Sequence, residues 1–345
     1  MKIIITSAIV PFNYGSRTLI EEWLVQKLCE YGHQVEIARI PFSFNYKELL
    51  PQITALRLYH LENDCERLIC TGIPSYIIPH PNKYVWFLNH YCEMFDLWNT
   101  DLNIIQEDSG WLAIREYIMR SDNATLPQAK KIYTNSNIMS ERLMNLNNLK
   151  STTLYPSVLR PEQFYCDSYG DYIFYLSRIC SSKRQLLAVQ AMEYTKTSVK
   201  LLLIGKPDDP AYMETINKYI KDHSLDKKVI IINEWITEKQ KTEYFAKCLG
   251  ALYIPYKKCF FGFPLLEAYY SRKPVITCTD SFGTGELVIN KKNGLIISPD
   301  PKVIAKKFDK FYIDKQNVEM MGANGLNRIG KLQITWDNVV RELTK

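Results

Sequence analysis

The sequence lacks any long apolar run: stretches such as LYIP at 252–255 and LLLIG at 201–205 fall far short of the roughly 20 residues that cross a bilayer, which excludes a membrane-spanning helix. Glycine and proline are sparse, 14 and 16 of 345 residues, and no unit repeats, so collagen-like, solenoid and linker readings fall away. Cysteine is present nine times, an odd number, without a C-x-x-C pair or a metal-ligand rhythm. The cysteines therefore read as small buried hydrophobes in a reducing compartment, and no metal site is expected. The dinucleotide fingerprint G-x-G-x-x-G is missing too, which removes the main support for a dehydrogenase.

What is present is a globular chain, 46% hydrophobic and 23% charged, at the length where one domain usually splits into two. The opening MKIIITSAIVPF resembles a signal peptide only superficially. Thr6 and Ser7 interrupt its apolar run, no small-residue cleavage pattern follows, and Pro11 with Asn13-Tyr14-Gly15 forms a turn. It reads as the first strand of a cytoplasmic protein. The net charge of +6 is uneven: residues 1–156 hold 14 Lys and Arg against 16 Asp and Glu, whereas residues 157–345 hold 29 against 21. A basic second half suits a nucleotide diphosphate, although a solvated lysine surface explains it equally. The KK pairs at 227–228, 257–258, 291–292 and 306–307 are scattered, which argues against nucleic acid as a partner.

Strand-like runs at 2–9, 34–40, 67–72, 84–88, 131–135, 172–177, 199–204, 229–232, 250–255, 274–278 and 294–297 alternate with helical periodicity, as at 18–31 and at 238–247 behind a Thr237 cap. This order predicts parallel sheets wrapped by helices. The alternation pauses at 152–172, TTLYPSVLRPEQFYCDSYGDY, the best domain boundary. The chain ends in an amphipathic helix, ITWDNVVRELTK at 334–345, with Thr335 as its cap.

Several loops carry residues suited to chemistry. In PFNYGSRT at 11–18, Gly15 lets the backbone approach a phosphate or sugar at a helix N-terminus, though an ordinary turn explains it as well. YLSRICSSKRQ at 175–185 sets Arg178 after a strand and Lys183 at the opening of the next helix, two cations able to grip a diphosphate. Taken alone they are a solvated surface pair. FGFPLLEAYYSRKPVIT at 261–277 is the most specific text. Its Phe261-Gly262-Phe263-Pro264 turn presents amides, and Glu267 falls in the first turn of the helix it opens, where a carboxylate can accept the hydroxyls of a ribose. DSFGTGELV at 280–288 repeats the arrangement with Glu286 early in a helix.

This ordered set, Arg178 and Lys183, then FGFPLLEA with PVIT, then GTGE at 283–286, resembles the retaining GT-B glycosyltransferases of family 4. The GSR loop, GHQV at 32–35, TNS at 134–136, YPSVLRPEQF at 155–164 and the Trp-containing terminal helix extend the resemblance along the whole chain. It implies two doubly wound Rossmann-like α/β domains facing a cleft. An acceptor domain would span 1–157 and a nucleotide-sugar domain 158–330, with a helix at 331–345 crossing back to the first. It further implies that Arg178 and Lys183 hold the donor diphosphate and Glu267 the ribose. The amides around the Phe261, Gly262, Phe263 and Pro264 turn would meet sugar and phosphate, with Gly15 on the phosphate side, Glu286 at the donor, Ile236 near the base, and His90 of YVWFLNH at the donor sugar. A histidine satisfied among Trp86, Phe87 and Tyr91 is the plainer reading of His90.

Two positions depart from the family pattern. Cys259 stands where the family has a glutamate eight residues before Glu267, and a thiol is a poor hydrogen-bond partner for a sugar. Phe282 stands where a glycine commonly precedes Gly283. The resulting expectation is a cytoplasmic, metal-independent enzyme without cofactor. It would move a hexosyl or N-acetylhexosaminyl unit from a nucleotide diphosphate sugar, UDP foremost, to a glycan or lipid-linked acceptor in surface polysaccharide assembly. The alternatives are a non-catalytic nucleotide- or glycan-binding relative and a nucleotide-sugar epimerase. The aromatics Phe95, Trp98, Trp111 and Tyr117 among Arg115 and Arg120 read first as core and second as a peripheral membrane contact at the inner face of the membrane.

Overall fold

The alternating strands close into two six-stranded sheets, parallel throughout. The structure is a computed structural model and describes residues 1–12, 15–43, 45–88, 91–95, 109–256 and 262–345. The chain divides into two units, Met1–Pro156 with Thr335–Lys345, and Ser157–Ile334.

The first sheet contains β1 (Lys2–Ile9), β2 (Gln34–Pro41), β3 (Arg67–Cys70), β4 (Lys83–Phe87), β5 (Lys131–Thr134) and β6 (Thr152–Thr153), in the spatial order β2-β1-β3-β4-β5-β6. Every residue of β3 and β4 is buried, as expected of central parallel strands covered on both faces. The two-residue β6 pairs with β5 through Tyr133 and Thr152, inside the segment that the sequence pattern marks as a pause. An edge strand this short is too brief to show a period.

The terminal helix Trp336–Thr344 is part of this first unit. Its Thr335 side chain accepts the Asn338 amide, and Trp336 lies edge-on to Trp86 with ring centroids 6.4 Å apart. The carbonyls left without partners at its end are collected by the sheet. Arg67 donates to the carbonyls of Leu343 and Lys345 at 2.8 and 2.8 Å, the Tyr84 hydroxyl to Lys345 at 2.7 Å and the Tyr133 hydroxyl to Glu342 at 3.0 Å. A guanidinium at a helix C-terminus also complements the dipole there.

The second sheet contains β7 (Tyr172–Leu176), β8 (Lys200–Ile204), β9 (Val229–Ile232), β10 (Gly250–Leu252), β11 (Val275–Cys278) and β12 (Gly294–Ile297), in the order β12-β11-β10-β7-β8-β9. The chain runs outward from β7 to one edge, then returns to place β10 on the other side of β7. The strand order therefore reverses between β7 and β10, the position at which ligands bind beyond the carboxyl ends of such sheets. Local chemistry starts the helices where the sequence pattern does. Thr237 and Gln240 form a reciprocal capping box on the helix Glu238–Lys247, and Asp209, Asp300 and Asp314 cap three others.

Two details differ from expectation. The helix after Gly262 spans Phe263–Tyr270, so Glu267 lies in its second turn, clear of the four unbonded amides. Glu286 closes a short 3-10 turn, Phe282–Glu286, because the glycines at 283 and 285 disfavour a longer helix.

Candidate functional site

At the switch point of the second sheet the loops after β7, β10 and β11 are bound to one another. Gln185, 1% exposed, starts this organisation: its amide donates to Ser177 Oγ and to the Arg178 carbonyl, both at 2.8 Å, while its oxygen accepts the Cys180 amide at 3.3 Å. The loop then turns through Arg184, which adopts the left-handed conformation (φ 60°, ψ 38°). From there its guanidinium donates to the Ile254 carbonyl at 2.7 Å, to both oxygens of Asp280 at 2.7 and 2.8 Å, and to Ser281 Oγ at 3.1 Å. One side chain thus ties β7, β10 and β11 together at their carboxyl ends. The Tyr256 amide adds a bond to the Ser182 carbonyl at 2.9 Å.

Lys183 rides on this frame. The buried Tyr175 hydroxyl donates to the Lys183 carbonyl, and Lys183 Nζ donates to the Tyr253 hydroxyl at 3.0 Å, 4.8 Å from the centre of that ring. Among the described residues the two other donors of this ammonium have no acceptor, so they are available to an anion. The same Tyr253 hydroxyl faces Gly262, where an added Cβ would overlap it. Gly262 has φ 79° and ψ 147°, a conformation that side chains avoid, and it caps the helix Phe263–Tyr270 without a side-chain bond. Phe263 is buried and Pro264 half-buried. A lysine, a tyrosine and a helix N-terminus therefore meet where the strand order reverses, a set of donors suited to an anion.

The remaining expected residues are distributed around this centre. Arg178 is exposed and donates to Asp208 Oδ2 at 2.7 Å in the loop after β8. Glu267 is buried, and burial raises its carboxyl above the usual value. Lys241 opposes that rise from 2.7 Å and also donates to Glu238 at 2.8 Å. Burial works against the Lys241 ammonium, but the two carboxylates hold it above its ordinary value. Glu267 is thus an acceptor held by an ammonium, with oxygens able to take hydroxyl donors as well. Ile236 is half-buried immediately before the Thr237 cap, and Trp235 beside it is 61% exposed. Glu286 is half-buried, and its carbonyl accepts from Arg328 at 2.9 Å.

Gly15 belongs to the first unit and caps the helix Ser16–Glu30. Its φ of −148° suits any residue and a Cβ would meet nothing within 4 Å, so its backbone does not demand glycine. His90, Cys259 and Phe261 lie outside the described residues, as does Trp98. Among the described residues no three His, Cys, Asp or Glu gather as a metal-binding group. No described helix is long and apolar enough to cross a membrane.

Four residues of the centre escaped the sequence reading: Arg184, Tyr253, Lys241 and Asp280. A basic residue beside Lys183 was visible in the SSKRQ text, but its left-handed backbone and its three partner loops were not.

Comparison with known proteins places this geometry. Residues 167–328 match the family model described as glycosyl transferases group 1. A stretch of 125 residues, 36% of this chain, is 30% identical to the alpha-1,3/1,6-mannosyltransferase ALG2 of Dictyostelium discoideum, and the mouse enzyme of that name is 26% identical over 125 residues. The match spans 29% of the length of each relative. Among solved structures, sucrose-phosphate synthase from Thermosynechococcus elongatus superposes with a TM-score of 0.80 at 16% identity, covering 99% of this chain and 97% of that one. Anabaena Alr3699/HepE in complex with UDP-glucose gives 0.74 at 13% identity, covering 100% and 98%. At these identities the likeness is one of fold.

Proposed function

From the match of residues 167–328 to the group 1 glycosyl transferases and the two-sheet α/β fold shared with GT-B enzymes, we propose that the chain is a retaining glycosyltransferase. It transfers a hexosyl or N-acetylhexosaminyl unit from a nucleotide diphosphate sugar to a glycan or lipid-linked saccharide, in the assembly of surface polysaccharide. The observation that carries the reading is the meeting of Lys183, Tyr253 and the N-terminus of the Phe263–Tyr270 helix at the β7/β10 reversal. A UDP donor is supported by the fold neighbour solved with UDP-glucose, and the hexosyl unit by the mannosyltransferase relatives.

In this reading the second unit holds the donor and the first holds the acceptor. The bond between the sugar C1 and the diphosphate oxygen breaks as the acceptor oxygen bonds to C1 from the same face. The acceptor proton passes to the departing phosphate oxygen, so no side-chain nucleophile is needed. Lys183, Arg178 and the amides after Gly262 stabilise the charge that grows on the diphosphate, which lowers the barrier because they strengthen most in the transition state. Glu267, held by Lys241, accepts the ribose hydroxyls.

The test is calorimetric titration with UDP, GDP, ADP and CMP, followed by acceptor-dependent release of nucleotide from the matching sugar donor. The expected result is preference for UDP, a product with the anomeric configuration of the donor, and turnover lowered by Arg178→Ala and Lys183→Ala. Glu267→Ala should instead weaken donor binding. Donor conversion without acceptor would identify an epimerase, nucleotide binding without turnover a binding relative, and no nucleotide binding would sink the proposal.

A further inference from the structure

A surface of the second unit, outside the β7/β10 loops, concentrates charge that the sequence shows only as scattered lysines. The helix Pro301–Ile313 places Lys302, Lys306 and Lys310 four residues apart on one face, spanning about 12 Å. Lys196 lies opposite them, and the groove between, about 600 Å³, is also lined by Tyr194 and Ile313. All four lysines are exposed. The two carboxylates in the groove are bound to backbone. Asp309 accepts the amides of Lys196 and Thr197 at 3.0 and 2.9 Å, and Asp314 accepts the Asn317 amide at 3.2 Å, so neither forms an ion pair with the lysines.

The apolar side chains in this basic setting are turned outward. Ile313, at the end of the lysine row, is 74% exposed, and Tyr194 is 40% exposed beneath the Lys302 ammonium, 5.4 Å from its ring centre. A soluble polyanion would use the ammonium groups and gain nothing from an exposed isoleucine. A bilayer surface uses both, since lysines meet the headgroup phosphates while an aliphatic tip and an amphipathic ring enter the interface.

We propose that the face formed by Lys196, Tyr194 and the Lys302–Lys306–Lys310 row with Ile313 docks on an anionic phospholipid surface. The docking is peripheral, and it does not depend on the identity of the donor sugar.

The experiment is co-sedimentation of the whole chain with vesicles of phosphatidylcholine alone or with 30% phosphatidylglycerol. Binding is expected on the anionic vesicles only and should fade as salt rises. Each lysine near the surface contributes about fivefold, so Lys302→Gln/Lys306→Gln/Lys310→Gln together should weaken binding about 100-fold. Ile313→Ser should weaken it further at high salt, where the aliphatic contact remains. Unchanged melting temperature and nucleotide titration in these surface variants establish that they are folded. Equal binding to neutral vesicles, or a triple variant that binds like the parent, overturns the proposal. Competition by soluble polyphosphate together with indifference to Ile313→Ser identifies a polyanion site instead, and overturns it equally.

Discussion

Replacing Arg184 by alanine removes the side chain that joins three loops of the candidate site. The loss comprises two bonds to Asp280 at 2.7 and 2.8 Å, one to the Ile254 carbonyl at 2.7 Å and one to Ser281 at 3.1 Å. Breaking a fully buried pair by removing one partner costs about 3–5 kcal/mol. Here the side chains of Arg184 and Asp280 keep 15% and 26% of their exposure, and solvent screening reduces the expected loss to about 2–3 kcal/mol. At roughly 2–4 °C per kcal/mol for a unit of this size, calorimetry should record a fall of about 5–10 °C in the transition of the second unit. Two companions separate the causes. Arg184→Gly should be about 1 kcal/mol more stable than Arg184→Ala, because the left-handed backbone no longer strains a side chain. In a double-mutant cycle with Asp280→Asn, the coupling should reach about 1–3 kcal/mol. Strict additivity in that cycle, or an alanine variant within about 0.5 kcal/mol of the parent, would refute the reasoning.

Other perturbations follow from the same geometry. Gly262→Ala should lower the melting temperature and weaken nucleotide binding, since its Cβ would displace the Tyr253 hydroxyl that holds Lys183. Adding Tyr253→Ala should relieve the overlap but leave about 1–3 kcal/mol of backbone strain, and full recovery of stability would contradict the strain. In the first unit, Asp122 is buried and accepts from the Tyr76 hydroxyl at 2.6 Å; burial pushes its carboxyl up to about 7, from 3.8. The folded-state value is the raised one, so this contribution is complete below about pH 4 and is lost as pH rises through 7, at up to about 1.4 kcal/mol per unit. Denaturant titrations across that range should show the decline and its flattening in Asp122→Asn; an identical slope in both would exclude Asp122 as its source. Arg67→Ala should expose the end of the terminal helix, seen as faster amide exchange over 336–344 with little change in the second unit. Uniform exchange throughout would show that Arg67 does not anchor it.

Much of the fold was legible because its signals are local. Period and β-branched content located eleven strands, and the caps at Thr237 and Thr335 are one-turn motifs that depend on neighbouring residues alone. The loops that hold Arg178, Lys183 and Gly262 were legible for the same reason, each lying between a strand and a helix start. Pairings between distant loops were not. Lys241 meets Glu267 across 26 residues and Arg184 meets Asp280 across 96, and both depend on which strands are neighbours in the sheet. The row of Lys302, Lys306 and Lys310 had a visible spacing, yet its joining with Lys196 and the exposure of Ile313 depend on how that helix packs. By itself the sequence determined eleven of the strands and the residues near their ends, since these follow from backbone geometry and burial within a few residues. Only the tertiary structure decided the strand order and the partner of each charge, because closing a loop of many residues is governed by the packing of the whole sheet and leaves no periodic trace in the chain.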